Sequence, residues 1–279
     1  MQPTFREIKA TAKASLKQHW SEAIAVSLVY LATTLLNTFT QSILMTILKV
    51  DQIWSPLAPT GVPISLNQLA GMGITVFSAI FSLCVTFPLI FGVMRWFWQL
   101  TGGQNPKVNE IFYFFSSSKI FFKILRLSIT LYLLLVLGAV ICFLPFVIIK
   151  LVTTPTLYDT LNIPMPMVME NLTPLTVFFE LFGFLAFLMW ISQYILCFTL
   201  VFSEPEFNVR QIISHTKKAV NGHKINLVCF GFSFFGWFML SFLMLPIAFT
   251  LPFFLASSAI FGREIIRTYN RKLESVSEI

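Results

Sequence analysis

The groups best placed to do chemistry in an apolar medium are one carboxylate and three carboxamides: Glu180, Asn37, Gln41 and Gln193. Each stands within a long apolar run, where no water satisfies a hydrogen-bonding or ionisable side chain. An intramembrane carboxylate points to proton or substrate coupling, and carboxamides can line a polar path between helices. Both have structural alternatives. Glu180 lies toward one end of its run, so it can reach the interface or hydrogen-bond a neighbour. Asn37, Gln41 and Gln193 can equally link packed helices, the reading we favour. A second set, Arg6, Lys9, Lys13, Lys17, Arg210, Lys217, Lys218 and Lys224, forms basic stripes suited to anionic lipid head groups.

Catalysis is poorly supplied. No HExxH, phosphate-binding glycine loop or G-x-S-x-G occurs. His19, His215 and His223 fall in the polar segments, where solvated or head-group-contacting roles are expected. Cys84, Cys142, Cys197 and Cys229 each lie in an apolar run without a nearby histidine, as packing residues do. The expectation is no enzyme, no cofactor and no metal.

The wider composition explains where such groups must sit. Of 279 residues, 56% are apolar and 11% charged. Soluble domains carry about 25% charged residues, so most of this chain is not built to face water. The net charge of +7 is compatible with nucleic acid, but the cations flank apolar runs, which argues for lipid head groups instead.

The elements follow from apolar run lengths, since a helix crosses the hydrocarbon core with roughly 20 residues. Phe5 to Trp20 reads as a basic amphipathic helix with an apolar stripe of Phe5, Ile8, Ala12 and Leu16. Spans are expected at Ala23 to Leu48, Leu69 to Leu100 (kinked at Pro88), Ile120 to Ile149 and Leu175 to Phe202. Between the second and third lies a polar segment, Thr101 to Ser118, with an apolar stripe of Val108, Ile111, Phe112 and Phe115. Ser203 to Lys224 repeats the amphipathic pattern through Val209, Ile212, Ile213, Thr216 and Val220, and Gly222 suits the left-handed position that ends a helix. Ile225 to Gly262 is long enough for two short spans, and Pro246 and Pro252 favour a tight hairpin between them. Loops are expected at Lys49 to Leu66 and Lys150 to Pro174. The first span is expected to serve as its own uncleaved targeting signal.

Charge sets an orientation. With the amino terminus in the cytoplasm, every Lys and Arg except Lys49 and Lys150 falls on the cytoplasmic side, provided the spans number six. Misplacing one at mid-bilayer costs about 3 kcal/mol. The fold class expected is therefore an all-α polytopic transmembrane helix bundle with six spans and three cytoplasmic amphipathic interfacial helices. The chain is a single integral-membrane domain, 1–279. It admits a threefold parallel repeat with units of about 1–100, 101–203 and 204–279, aligned through Phe5, Val108 and Val209; chance likeness among basic segments is the alternative.

The run FSEPEFNVRQIISHTKKAVNGHK, the later Gly236-Trp237 and the earlier FPLIFGVMRWFWQLTGG carry a resemblance. With the basic REIKATAKASLKQHW start and Pro145 after an aliphatic run, the chain resembles the bacterial integral-membrane family called domain of unknown function nine-seven-five. The likeness covers nearly the whole chain and is most specific at Glu204 to Lys224. The closing hairpin departs from the family pattern at Leu245-Pro246-Ile247 and Pro252-Phe253. The resemblance implies a plasma-membrane protein and no activity.

Two functions are consistent with these features. The first is a membrane scaffold or accessory subunit that contacts anionic lipid and a membrane-protein partner. The second is a small permease or lipid-handling transporter. A transporter is expected to break its spans at matching repeat positions, and Pro88 and Pro145 do not match.

Overall fold

The computed structural model describes residues 4–50, 66–152, 173–241 and 246–277. Among the described residues there are helices and turns but no strand. An all-α fold suits lipid, because a helix satisfies its backbone groups within its own segment. In chain order the helices are α1 (Phe5–Leu16), α2 (Trp20–Ile47), α3 (Leu66–Phe81), α4 (Phe87–Thr101), a 3₁₀ helix (Val108–Phe115), α5 (Ser118–Val152), α6 (Thr173–Ser192), α7 (Cys197–Ser203), α8 (Val209–Val220), α9 (Lys224–Phe232), α10 (Phe235–Leu240) and α11 (Ile247–Ser277). Much of both expected loops lies outside the described residues.

Among the described residues five stretches are long and apolar enough to cross a membrane: Trp20–Ile47, Leu69–Thr101, Ser118–Leu151, Pro174–Ser203 and Ile247–Arg271. A sixth is reached when Val209–Val220 and Lys224–Leu240, bent by 83° to each other, are taken as one broken span. The closing hairpin differs from expectation in one respect. Pro252 lies inside α11 rather than in a turn, and the helix continues through it. Lacking an N–H, Pro252 leaves the Ala248 carbonyl, four residues back in α11, without its usual helical donor.

The framework divides into two compact units, Met1–Ser128 with Gly236–Glu264, and Ile129–Phe235 with Ile265–Ile279. In the first unit, α3 and α4 are one helix joined by a π turn at Ser82–Thr86, where the Phe87 N–H donates to the Ser82 carbonyl. Pro88 explains the turn. It lacks an N–H, and its ring would clash with the carbonyl four residues back, so the ladder widens just ahead of it.

Burial along this helix is polarised. Its α3 half exposes Leu66, Leu69, Val76, Phe77 and Ile80, whereas its α4 half buries Leu89, Phe91, Val93, Trp96, Phe97 and Leu100. The α4 half packs against α1, α2 and the 3₁₀ helix. Gly92 makes the last contact possible: a β-carbon there would lie 1.8 Å from the Ile111 carbonyl oxygen.

In the second unit α6 packs on α9, and α7 on α8. Trp190 of α6 reaches α5, where its indole N–H donates to the Leu134 carbonyl at 2.9 Å and its ring fills the space beside Gly138. Small residues at such crossings let membrane helices approach closely. Both units expose large apolar side chains, such as Leu36 (64%), Phe39 (60%), Leu133 (61%) and Phe178 (60%). In water so many exposed apolar residues favour aggregation; on helices of spanning length they mark lipid-facing surface. The chain is a helical membrane protein.

Candidate functional site

The three short helices begin alike. At α1 the Glu7 carboxylate accepts from the Thr4 N–H at 2.8 Å, and the Thr4 hydroxyl accepts from the Glu7 N–H at 3.4 Å. At the 3₁₀ helix the Glu110 carboxylate accepts from the Lys107 N–H at 3.1 Å. At α8 the Gln211 amide oxygen accepts from the Asn208 N–H at 2.8 Å. Each therefore satisfies an N–H that the helix leaves without a partner. The next residue in each is an isoleucine with almost no exposure: Ile8, Ile111 and Ile212. The Thr4-x-x-Glu7 spacing announces such a cap in sequence.

Beyond that start the three diverge. α1 buries Ile8, Ala12 and Leu16, and α8 buries Ile212, Thr216, Ala219 and Val220. Gly222 ends α8 at φ 87°, the left-handed conformation anticipated for it. The middle element is a 3₁₀ helix, with three residues per turn, so Ile111 and Phe114 are the buried pair. This corrects the expected stripe. Phe112 and Phe115 are exposed, because four-residue spacing carries a side chain off the covered face when the helix is this tight.

The basic residues lie beside the buried faces. Arg6, Lys13, Lys17, Arg210, Lys217 and Lys218 are exposed, while Lys9 and Lys224 are partly covered. Burial holds the Lys9 ammonium below its usual range. Lys217 lies 5.3 Å from the centre of the Tyr194 ring. The three histidines are all half-buried. His19 precedes α2 and contacts Glu22 at 3.0 Å, His223 precedes α9, and His215 stacks on Phe207 with the Tyr269 hydroxyl 3.3 Å away.

Two of the four intramembrane polar residues meet. Asn37 donates to the Ser82 hydroxyl at 3.1 Å, and the Ser78 hydroxyl bonds to Gln41 at 3.1 Å and lies 3.3 Å from the Asn37 oxygen. Ser78 has one proton for two acceptors, so it serves Gln41 at the shorter distance and Asn37 only in part. Together they form a polar ladder joining α2 to α3 and the π turn. Glu180 stands exposed on α6, and Gln193 lies in the break between α6 and α7.

A further cluster surrounds Arg95, toward the end of α4. The Arg95 guanidinium lies 3.9 Å from the centre of the Tyr113 ring, and its Nη1 is 3.6 Å from Glu110 Oε2. With its oxygen turned to the cation, the Gln99 amide accepts from Arg95 Nη2 at 3.2 Å and donates to Glu110 at 3.3 Å. Arg95, Glu110 and Tyr113 line a shallow depression of about 470 Å³ together with Phe112 and Phe115. An arginine fifteen residues before a glutamate has no periodic signature, so only packing brings the two together.

A family profile described as "Protein of unknown function (DUF975)" matches residues 1–268, nearly the whole chain. The chain belongs to the DUF975 family. No curated protein and no solved structure matches it.

In this DUF975 protein the cysteines are all free, with Cys197 buried and Cys229 exposed. The Cys197 thiol donates to the Thr216 hydroxyl at 3.4 Å, tying α7 to α8. Among the described residues no group of three His, Cys, Asp or Glu could hold a metal ion.

Proposed function

We infer that this DUF975 chain is a scaffold or accessory subunit of the plasma membrane that contacts anionic lipid through its basic short helices. The polar ladder carries the reading. Asn37, Gln41, Ser78 and Ser82 bond to one another, which uses their capacity between helices rather than on a passing solute. α1 and α8 have their apolar stripes covered by protein, so these two helices touch lipid through charge. Salt therefore weakens that contact.

The arrangement proposed has six spans, the sixth drawn from Lys224–Leu240, with both termini in the cytoplasm, where basic residues collect. Each short helix then leads a pair of spans, giving repeat units of about 1–100, 101–203 and 204–279. The shared cap and the following buried isoleucine support the repeat. No catalytic role is proposed.

Two experiments test this reading. Cysteines placed singly at Thr4 and Ser277 in a cysteine-free chain are expected to react with an impermeant thiol reagent only after the cells are opened. Labelling of one end alone in intact cells would overturn the topology. Neutralising Lys13, Lys17, Lys217 and Lys218 to Gln is expected to abolish salt-sensitive binding of phosphatidylglycerol to the purified chain. Unchanged binding would overturn the lipid contact.

One observation favours the alternative, a small permease. The fourth apolar stretch is broken between Ser192 and Cys197 with Gln193 in the break, and discontinuous helices build transporter sites. A cysteine at Gln193 that reacts with a water-borne reagent would favour that reading over the scaffold.

A further inference from the structure

We propose that the depression beside Arg95 seats the head group of a zwitterionic aminophospholipid, with phosphate on Arg95 and ammonium on Glu110 between the Phe112 and Phe115 rings. The proposal rests on the chain being a membrane protein and is independent of the scaffold reading.

Connectivity places the site. The 3₁₀ helix joins the end of one span, Leu69–Thr101, to the start of the next, Ser118–Leu151. A depression on that link opens where lipid head groups lie. It is shallow and open, with a volume of about 470 Å³, room for a head group but not for a whole lipid. An unbroken run of rings leads away from it. Phe112 meets Phe115 at 6.3 Å, Phe115 meets Phe121 at 5.8 Å, and Phe121 meets Phe122 at 5.8 Å. Phe122 stands 62% exposed on α5, among the lipid-facing residues of that span. A ligand with a polar head and an apolar tail matches this course. A soluble anion would leave the rings unused.

Charge selects the head group. Arg95 and Glu110, with Nη1 and Oε2 3.6 Å apart, offer one positive and one negative charge. An anionic head group would meet Arg95 favourably and Glu110 unfavourably. A zwitterion answers both. Arg95 Nη1 is shielded from solvent and has no hydrogen-bond acceptor. A phosphate oxygen supplies that acceptor after a small rotation of the guanidinium. The site is held ready: Tyr113 carries the guanidinium on its face, and the Lys107 N–H fixes Glu110. Phe112 and Phe115, both exposed and tilted by 56°, present the aromatic faces that attract an ammonium.

The test is native mass spectrometry of the full chain in non-ionic detergent, titrated with phosphatidylethanolamine, phosphatidylglycerol or inorganic phosphate. Wild type is expected to prefer phosphatidylethanolamine to phosphatidylglycerol at least tenfold, with no displacement by phosphate. Glu110→Gln is the informative variant, because a glutamine makes the equivalent cap at α8. It removes the charge and keeps the fold, and is expected to erase the preference. Phe112→Ala, at an exposed position, is expected to weaken phosphatidylethanolamine binding several-fold and decides the matter should Glu110→Gln fail to fold. Equal retention of both lipids by wild type would overturn the proposal. So would full displacement by phosphate, or an unchanged preference in both variants. Loss of phosphatidylglycerol binding in the lysine variants, with the phosphatidylethanolamine preference intact, would leave the two proposals separately judged.

Discussion

Arg263 stacks on Trp98, its guanidinium 4.4 Å from the ring centre, and Nη2 donates to the carbonyl of that same residue. Nη1 donates to the Thr101 carbonyl at 2.8 Å. The Trp98 carbonyl also accepts from the Gly102 N–H at 3.1 Å, whereas the Thr101 carbonyl is the last of α4, and a cation at that end meets the negative end of the helix dipole. A side chain from α11 thus caps a helix far from it in sequence. Arg263→Met is expected to cost about 2 kcal/mol, the weight of charged hydrogen bonds. A lowered melting temperature in detergent would register it. Arg263→Lys should recover only part of the loss, since one ammonium cannot make the forked contact and the stack together.

Gly92 and Gly73 make a matched pair. A β-carbon at Gly92 would overlap the Ile111 backbone, which cannot yield without moving the 3₁₀ helix. A β-carbon at Gly73 meets nothing within 4 Å. Gly92→Ala is therefore expected to destabilise by about 3 kcal/mol or more. Gly73→Ala should be neutral, or stabilising by up to about 1 kcal/mol through helix propensity. Thermal unfolding of the two purified variants compares them directly, and equal melting temperatures would contradict the packing described.

The polar ladder should behave as interhelical linkage. Hydrogen bonds between membrane helices average about 0.6 kcal/mol each. Asn37→Leu removes the bond to Ser82 and the weaker contact with Ser78, and is expected to cost roughly 1 kcal/mol with membrane level unchanged. A growth defect at normal stability and abundance would point instead to a polar path.

Glu180→Gln is expected to leave the melting temperature and membrane level as they are. The residue is exposed on α6, and surface substitutions usually stay within about 0.5 kcal/mol. Impaired growth in that variant, with the protein still present at normal level, would make the carboxylate functional.

Much of this fold was legible in advance, for a local reason. Run length and hydropathy locate spans: four of the long stretches coincide with expected ones, and the fifth, Ile247–Arg271, overlaps the expected run Ile225 to Gly262 and continues past it. The stripes of α1 and α8 were readable because Ile8, Ala12 and Leu16, like Ile212, Thr216 and Val220, recur at the period of an α-helix. The middle stripe failed for the same kind of reason. A 3₁₀ helix shifts the period from near four residues to three, and Phe114 replaces Phe115 on the buried face. Pro252 departs from the expected turn because the helix begins at Ile247 and passes through it.

The order of residues alone determined that this chain is helical and apolar along spanning lengths, and that its cations gather at the span ends. Hydropathy and helical period are properties of neighbours in sequence, so they need no partner to be read. Tertiary structure decided what covers each apolar stripe. It also decided that Arg263 closes α4 and that Arg95 and Glu110 share one depression. An apolar face is satisfied by protein or by lipid alike, and charges from separate segments pair only where packing brings their backbones within reach.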